Sequence, residues 1–314
     1  MKKQLLFSAF LFSITISSLV AQTTRIPKED GNQKKRQEWL VKRKHDPAVG
    51  NPENSRWEAY QQSQTRLMET SRAPVASWQC LGPVNQGGRV ISHAFDPFNS
   101  QILWAGSASG GLWKTNDGGS TWNAMTDQIP NLAVGAVAIH PQNSAVMLLG
   151  TGEGYILSPW FQYGIGVLRS TDGGITWNPT SLAIADSLQF ACLAFAWDPV
   201  NTSKVYLATT FGIYVSLDAG LTWTKTLNGV GTSIVINKKT PSNVYASLQD
   251  YSGSTGGIYH SSDYGATWTA LSNGIPVPTD IGFTTLSICD SFPNVIFAGI
   301  STPASNLRNN AGFV

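Results

Sequence analysis

One stretch of the chain combines a carboxylate with several aromatic side chains, a combination suited to ligand binding. It reads Glu153-Gly-Tyr155-Ile-Leu-Ser-Pro-Trp160-Phe161-Gln-Tyr163, and Asp250-Tyr251 and Arg89 add groups of the same kinds. Aromatic rings beside a few polar groups bind sugar rings or an extended peptide. The alternative is that Trp160 and Phe161 only cap the fold. The candidate ligand-binding residues are Arg89, Glu153, Tyr155, Trp160, Phe161, Tyr163, Asp250 and Tyr251.

These residues do not by themselves define a reaction. Hydrolysis of a glycosidic bond needs two carboxyl groups that face each other at a set separation, which the sequence does not give. Asp96 and Asp198 each precede a proline at the end of an apolar run, where a turn is expected. Catalytic residues therefore stay unassigned. No cofactor is expected, and no Cys/His spacing indicates a metal site.

An eight-residue phrase, Ser/Thr-x-Asp-x-Gly-x-Thr-Trp, sets the architecture that must position these groups. It begins at Thr115, Ser170, Ser216 and Ser261, and its aspartates are 55, 46 and 45 residues apart. A unit of this period built from strands predicts the blades of a β-propeller. Within each phrase the Asp is expected to accept backbone hydrogen bonds, the Gly to take a positive φ and the Trp to fill the gap between blades. The predicted structural residues are Asp117, Gly119, Trp122, Asp172, Gly174, Trp177, Asp218, Gly220, Trp223, Asp263, Gly265 and Trp268.

The rest of each repeat reads as strands. Two apolar runs lead to a short Gly-led strand that enters the phrase, and a more polar strand begins at its Trp. The sequence therefore predicts an all-β propeller of four-stranded blades, with four complete blades and part of a fifth. In this topology the connections from second to third strands share a face with the connections between blades, and the repeated phrases lie on the opposite face. The candidate ligand-binding loops, and Asp127, Asp186 and Asp280 on the inter-blade connections, are expected on the face without the phrases.

The phrase resembles the Asp-box, or BNR repeat, of sialidases, sortilin-type VPS10 receptors, xyloglucanase-type glycoside hydrolases and a photosystem II assembly factor. The stretches that begin at Leu81 and Gly110 and the segment Gly150-Thr-Gly-Glu153 look like those of large secreted VPS10/xyloglucanase-like propellers of Bacteroidetes, many of which are type IX secretion substrates. In the enzymes of this resemblance, ligands bind on the box-free face. Sialidase is the weaker comparison, because its site needs three converging arginines and the propeller region holds only Arg89, Arg169 and Arg308.

The N-terminal region differs in character from the repeats. Residues 1–21 carry two lysines before an apolar run and predict a secretory signal peptide cleaved near Ala21-Gln22. Residues 22–77 are expected to form a basic, partly helical arm with helices over 34–44 and 56–70, and residues 78–314 the propeller. We interpret the basic arm as a solvated lead-in and expect no nucleic-acid partner and no transmembrane segment.

The C-terminal residues predict an unfinished blade. Val295-Ile-Phe-Ala-Gly299 and Gly312-Phe-Val314 match the second and third strands of a fifth blade. Because propellers close their ring and leave no long exposed edge, we expect a piece of a longer protein, possessing further blades and a C-terminal sorting domain for attachment to the cell surface. The three cysteines, Cys80, Cys192 and Cys289, are expected to be buried free thiols.

Two functions follow as hypotheses. The first is a secreted or cell-surface propeller that binds a polysaccharide or a protein through the box-free face without catalysis. The second is a glycoside hydrolase, xyloglucanase-like rather than sialidase, whose carboxylates lie partly outside this chain. Loss of reducing-sugar release on replacing Glu153 or Asp250 would favour the second.

Overall fold

A computed structural model describes residues 55–69, 88–154, 162–184, 189–249 and 256–301. Its strands form four antiparallel sheets of four strands and one sheet of two, in chain order, which confirms the predicted blades. We number the sheets as blades 1 to 5. The strands are β1 Val90–Phe95, β2 Leu103–Ser107, β3 Leu112–Thr115 and β4 Asn123–Ala124 in blade 1; β5 Val134–His140, β6 Asn143–Thr151, β7 Gly166–Ser170 and β8 Asn178–Ala183 in blade 2; β9 Cys192–Trp197, β10 Val205–Thr209, β11 Gly212–Ser216 and β12 Thr224–Leu227 in blade 3; β13 Val230–Ile236, β14 Val244–Gln249, β15 Gly257–Ser261 and β16 Thr269–Ala270 in blade 4; and β17 Thr284–Cys289 and β18 Phe292–Ile300 in blade 5.

The first strands of successive blades pack against one another, so that they form the inner layer of the propeller. The closest approach is at Gly135 of β5, where a Cβ atom would lie 2.0 Å from the carbonyl oxygen of Cys192 in β9. Only glycine allows the two backbones to come so near. β5 is buried along almost its whole length, because blades 1 and 3 cover its two faces.

The spaces between blades are filled by three apolar clusters. Trp104 and Met147 belong to the cluster between blades 1 and 2, Leu148 and Leu207 to the one between blades 2 and 3, and Tyr206 to the one between blades 3 and 4. Each cluster draws side chains from two sheets. A blade is therefore stabilised by its neighbours as well as by its own hydrogen bonds.

Among the described residues, one α-helix and one 3₁₀ turn accompany the sheets. Helix α1 spans Ser55–Glu69, close to the predicted helix over 56–70. Its Trp57 packs against the cluster between blades 1 and 2. A single 3₁₀ turn, Pro278–Asp280, lies between blades 4 and 5. The predicted helix over 34–44 lies outside the described residues. No helix among the described residues is both long and apolar enough to cross a bilayer.

The cysteines need one correction. Cys192 is a buried free thiol on β9, and burial raises its pKa. Cys289 is also free, but it is exposed. It is the last residue of β17, paired with Phe292 across the hairpin, and blade 5 has only two described strands to cover it. Cys80 lies outside the described residues.

Candidate ligand-binding face

The Asp-boxes of all four complete blades lie on one face of the propeller. In each blade a backbone N–H of the box bonds to a carbonyl in the turn between the first and second strands or at the start of the second strand: Gly118 to Gln101, Gly173 to Ala145, Ala219 to Ser203 and Tyr264 to Ser242. We call this side the box face. The connections from second to third strands and those between blades lie at the other ends of the same strands, on the box-free face.

Each box closes on its own aspartate. In the first box, Asp117 Oδ1 accepts hydrogen bonds from the Thr115 hydroxyl at 2.7 Å and the Thr121 N–H at 2.9 Å, and Oδ2 accepts from the Thr121 hydroxyl at 2.6 Å. The same three bonds recur at Asp172, Asp218 and Asp263. Hydrogen bonds from threonine hydroxyls lower the pKa values of Asp117 and Asp263 to about 2. All four carboxylates are therefore engaged in hydrogen bonds within their own turns.

The box tryptophans differ in burial. Trp177 is 6% exposed and belongs to the cluster between blades 1 and 2, and Trp223 and Trp268 are partly buried against the clusters that follow. Each ring thus packs toward the preceding blade. Trp122 is 40% exposed, because no described blade precedes blade 1. The expected filling of the gap between blades therefore does not apply to Trp122.

The hairpins beside the boxes also use their aspartates structurally. Asp198 Oδ1 accepts hydrogen bonds from the N–H groups of Val200 and Asn201, both at 2.9 Å, and Asp96 Oδ1 accepts from Phe98 and Asn99. These are Asx turns, the arrangement that the Asp-Pro sequences predict. Both aspartates lie on the box face.

On the box-free face, two of the candidate residues meet. Arg89 immediately precedes β1 in blade 1, and Glu153 follows β6 in blade 2; the Arg89 guanidinium donates a short hydrogen bond from Nη2 to Glu153 Oε1. The Glu153 side chain is 7% exposed and the Arg89 side chain 46% exposed. The pair joins two blades, with its anion buried and its cation facing solvent.

Glycines hold the segment around Glu153 in place. Gly152 has a φ of +89°, and a Cβ atom there would lie 2.6 Å from the carbonyl oxygen of Phe190. A Cβ atom on Gly154 would lie 3.1 Å from the Cβ of Ala191. Both glycines therefore pack against the connection that enters blade 3. A side chain at Gly152 would displace Glu153.

Tyr163 lies on the returning arm of the same connection. Buried Asn131 donates from Nδ2 to the Tyr163 carbonyl at 2.6 Å, and Gln189 donates from Nε2 to the Tyr163 hydroxyl at 3.3 Å. Thr151 fastens the arm further on, since its hydroxyl donates to the Gly166 carbonyl at 2.6 Å and accepts from the Ile165 N–H at 2.8 Å. The two arms of the loop are thus fixed on either side of its tip.

The remaining candidate residues are not described by the structure. Tyr155, Trp160, Phe161, Asp250 and Tyr251 lie outside the described residues, so their role stays a prediction. Asp127 and Asp280 lie on the inter-blade connections of the box-free face, and Asp186 falls outside the described residues.

Three polar residues that hold the loop were not predicted from the sequence: Asn131, Gln189 and Thr151. Asn131 precedes a buried strand without belonging to a repeated phrase, and Gln189 lies in a connection of irregular length. Thr151 could have been identified from the sequence, because it lies beside Glu153 in the segment Gly150-Thr-Gly-Glu153. Among the described residues no three His, Cys, Asp or Glu side chains are grouped to hold a metal ion.

The arrangement can present hydrogen-bond donors to a ligand. A guanidinium carries five N–H donors in a planar fork and no acceptor. Glu153 takes up part of that capacity and neutralises the charge, and the exposed part of Arg89 is left facing solvent. Such a group suits hydroxyl or carboxylate oxygens at the junction of blades 1 and 2.

Comparisons with known proteins agree with the repeat and the fold. Residues 168–179, which contain the second box, match the BNR/Asp-box repeat. A xyloglucanase of Hypocrea jecorina (strain QM6a) is 28% identical over 183 residues, which cover 54% of this chain and 22% of the relative. A xyloglucanase of a Paenibacillus species is 25% identical over 191 residues, which cover 57% of this chain and 18% of the relative. The matched part is about a fifth of the length of these curated relatives.

A solved structure extends the comparison to the fold. The crystal structure of an ancestral GH74 enzyme matches with a TM-score of 0.57 at 21% identity, over 76% of this chain and 30% of that enzyme. Together with four boxes of identical hydrogen bonding, these similarities confirm the predicted repeat class. The chain is an Asp-box (BNR) repeat β-propeller, similar in sequence to xyloglucanases and in fold to a GH74 enzyme.

Proposed function

We propose that this propeller binds an extended polysaccharide through its box-free face, and that it does so without cleaving it. The observation that carries the proposal is the Arg89–Glu153 pair, which fixes a half-exposed guanidinium at the junction of blades 1 and 2. Among the described residues of the box face, the box aspartates are engaged within their own loops, and in the ion pair Lys238–Asp290 both side chains are exposed, so that no buried anion fixes the cation.

A fixed cation with free donors is useful for recognition. Because Glu153 is buried and engaged by Arg89, little of the guanidinium's conformational freedom remains to be lost when a ligand binds. Sugar hydroxyls accept hydrogen bonds, and a uronic acid would add a charge-assisted bond. The ring of Tyr163 lies on the neighbouring arm of the loop, and the predicted platform of Trp160 and Phe161 would add stacking surface.

The chemical class comes from the relatives. Both of these relatives are named xyloglucanases, so xyloglucan is the first ligand to test. A protein ligand is the runner-up within the same hypothesis, since an aromatic groove also accepts an extended peptide.

Glycoside hydrolysis is the second candidate function, and the same similarity favours it. It requires a pair of opposed carboxyl groups. Among the described residues, the connections of the box-free face carry Asp127, Glu153 and Asp280, and Glu153 is engaged by Arg89. The carboxyl groups left for a catalytic pair are Asp127 and Asp280, together with residues outside the described ones such as Asp250.

The deciding experiment measures binding and cleavage on the same protein. Affinity electrophoresis in gels containing xyloglucan should retard the chain, and Arg89→Ala should weaken binding about tenfold, the loss of one charge-assisted contact. Lys238→Ala is the matched control, because Lys238 forms an exposed ion pair with Asp290 on the box face. No retardation in any polysaccharide gel, or equal loss from both variants, would reject the proposed face.

A reducing-sugar assay separates the two candidate functions. Retardation without release of reducing ends supports binding alone. Release that disappears in Asp250→Asn or Glu153→Gln, with the fold intact, would replace our proposal by the hydrolase. Both assays should use the full chain.

Export is part of the proposal, because the ligand is extracellular. The first 21 residues have the charge and apolar run of a signal peptide. N-terminal sequencing of protein recovered outside the cytoplasm should begin at Gln22. Recovery of the intact Met1 terminus in the cytoplasm would contradict it, and transport by the type IX route stays a prediction.

A further inference from the structure

One register position of the second strand recurs in every complete blade. The residue opposite the Ser or Thr that opens the box is Leu103, Met147, Val205 or Val244. The residue after it therefore points to the other side of the sheet, toward the following blade. These following residues are Trp104, Leu148, Tyr206 and Tyr245.

In three of the four cases this side chain packs under the box glycine of the next blade. A Cβ atom on Gly174 would lie 2.7 Å from Trp104, one on Gly220 would lie 2.4 Å from Leu148, and one on Gly265 would lie 2.9 Å from Tyr206. The three side chains are buried, with exposures of 2%, 0% and 0%. The box glycine is thus needed twice, for its positive φ and for the absence of a side chain over its neighbour.

In two of these interfaces the contact is accompanied by a hydrogen bond to the backbone carbonyl of the residue just before the box glycine. The Tyr206 hydroxyl donates to the Tyr264 carbonyl at 3.0 Å, and Arg169 donates from Nε to the Ala219 carbonyl at 3.0 Å. Tyr206 occupies the Leu148 position on the second strand, and Arg169 is the cross-strand partner of Leu148 on the third, so the two donors come from neighbouring positions of their blades. Blades 2 and 3 therefore dock the next box by a ring or alkyl contact and one bond to its backbone.

Tyr245 occupies the same site in blade 4, but it is only partly buried. Its ring stacks on His260, with centroids 4.7 Å apart and planes 25° apart. His260 pairs with Tyr245 across β14 and β15, as Arg169 does with Leu148, and its Nε2 lies 2.9 Å from Asn243 Oδ1. No box loop among the described residues covers this pair. Of blade 5, the structure describes β17 and β18, its first and second strands.

We propose that the surface formed by Tyr245 and His260 is a docking site for a further Asp-box loop. The box glycine would lie over the Tyr245 ring, and the Tyr245 hydroxyl would donate to the carbonyl of the preceding residue, as Tyr206 does in the previous blade. The occupant is an Asp-box on a β-hairpin, because three adjacent interfaces of the same molecule place that loop on this register position.

The experiment supplies such a hairpin in trans. A fluorescent peptide with the sequence of residues 256–271, which carries the fourth box with its two flanking strands, is titrated with the 314-residue chain and followed by anisotropy. The matched control peptide carries Gly265→Val, which places a branched side chain where the ring must lie. We expect saturable binding of the first peptide, weakened at least tenfold by this substitution.

Variants of the chain locate the binding. Tyr245→Ala should weaken it about tenfold and Tyr245→Phe, which keeps the ring and removes the hydroxyl, about threefold. Phe98→Ala is the control, since Phe98 is 69% exposed on the box face of blade 1. If Tyr245→Ala lowers the melting temperature, Tyr245→Phe still tests the proposal, because a threefold weakening supports docking at Tyr245 and unchanged binding contradicts it.

Three results would overturn the proposal. They are equal binding of both peptides, binding that Tyr245→Ala leaves unchanged, and no saturable binding at millimolar peptide. Loss of xyloglucan retardation in Tyr245→Ala without peptide binding would instead assign the Tyr245–His260 surface to a glycan. Because Arg89→Ala tests the box-free face separately, failure here leaves the proposed function standing.

Discussion

On the box face each eight-residue loop closes on its own aspartate, whereas on the box-free face the connections are held by contacts that run from one blade to the next. The box bonds join residues two to four positions apart. The Arg89–Glu153 pair joins residues 64 positions apart, and the bonds from Gly152 to Ala133 and from Gly164 to Phe190 also link separate connections. One face repeats, and the other differs at every blade.

The difference separates stability from recognition. Local bonds within a repeated phrase form the turn of each box, which then stacks on the preceding blade through a glycine and a tryptophan. The box-free connections carry no such repeated unit, so they can vary in length and side chain while the blades remain in place. We therefore expect substitutions on the box face to change unfolding and leave binding intact, and substitutions at Arg89 to change both.

The largest effect is expected when a box tryptophan is removed from a blade interface. Trp177 is 6% exposed within the cluster between blades 1 and 2, so Trp177→Ala should cost about 3–5 kcal/mol of unfolding free energy. Trp122 is 40% exposed, and Trp122→Ala should cost about 1 kcal/mol. Urea denaturation of both variants measures the difference. Equal losses would mean that the boxes are stabilised without their neighbouring blades.

Adjacent glycines of one box give the next contrast. Gly173 and Gly174 both have positive φ values, of 71° and 82°, but a Cβ atom on Gly173 meets nothing within 4 Å, while one on Gly174 lies 2.7 Å from Trp104. Gly173→Ala should cost about 1 kcal/mol of backbone strain. Gly174→Ala should cost about 1–3 kcal/mol more, because it overpacks the interface. Thermal unfolding that ranks the two variants in the opposite order would refute the proposed role of the box glycine.

Arg89→Ala tests the other side of the comparison. It leaves buried Glu153 without its cation, and we expect a stability loss of about 1–2 kcal/mol. Adding Glu153→Gln should recover part of this loss, because the uncompensated charge is then removed. A double-mutant cycle from urea denaturation gives the coupling. Additive losses would show that the pair is not formed in solution.

Much of the fold could be predicted because its determinants are local. The phrase at Ser170 fixes its own turn through Asp172 and Thr176, and the apolar runs around it mark the strands. The exposure of Trp122 could not be predicted, since the ring is the same in every box and only the neighbouring blade decides its burial. Cys289 was predicted to be buried but is exposed, because its burial also depends on the neighbouring strands and not on the cysteine itself.

The candidate site could be predicted only as a set of separate residues. Topology placed Arg89 and Glu153 on one face, but the pairing of side chains from two blades depends on how those blades pack. Asn131 and Gln189, which hold Tyr163, belong to inter-blade connections that share no phrase. The repeated pattern predicts the blades, whereas the contacts between irregular loops follow from how the blades pack and are found only in the structure.

A smaller effect is expected from acid. The pKa of Asp263 is lowered to about 2, first by the hydrogen bond from the Thr267 hydroxyl. A lowered pKa stabilises the folded state above the unfolded-state pKa of about 4, and this contribution is lost as the pH falls toward 2. Thr267→Val should raise the pKa of Asp263 toward its ordinary value and make unfolding less pH-dependent between pH 4 and 2.

Carbon-13 NMR of the carboxyl groups measures the pKa shift directly, and acid unfolding measures its consequence. Thr279→Val, which removes a hydroxyl from the opposite face, is the control and should leave the titration of Asp263 unchanged. An unchanged titration in Thr267→Val would show that the threonine does not stabilise the carboxylate.

The smallest effect is expected at the residue before the box glycine, where the repeats themselves differ. The first two boxes have Gly118 and Gly173 at this position, whereas the third has Ala219 with a φ of 57°. A left-handed alanine is strained by about 1 kcal/mol, and glycine adds unfolded-state entropy of about 0.4–1 kcal/mol. Ala219→Gly should therefore raise the unfolding free energy by less than about 1 kcal/mol, since Arg169 still bonds to the same backbone carbonyl.

Tyr264 gives the matched contrast, because its φ is 62° but its side chain makes a contact. The Lys204 ammonium lies 3.7 Å from the centre of its ring, a cation–π contact of about 0.5–1 kcal/mol. Tyr264→Gly should relieve the same strain and lose this contact, leaving stability unchanged or lower. Calorimetry that finds both variants equally stabilised would mean that strain alone decides this position, and that the side chain of the fourth box contributes nothing to its blade.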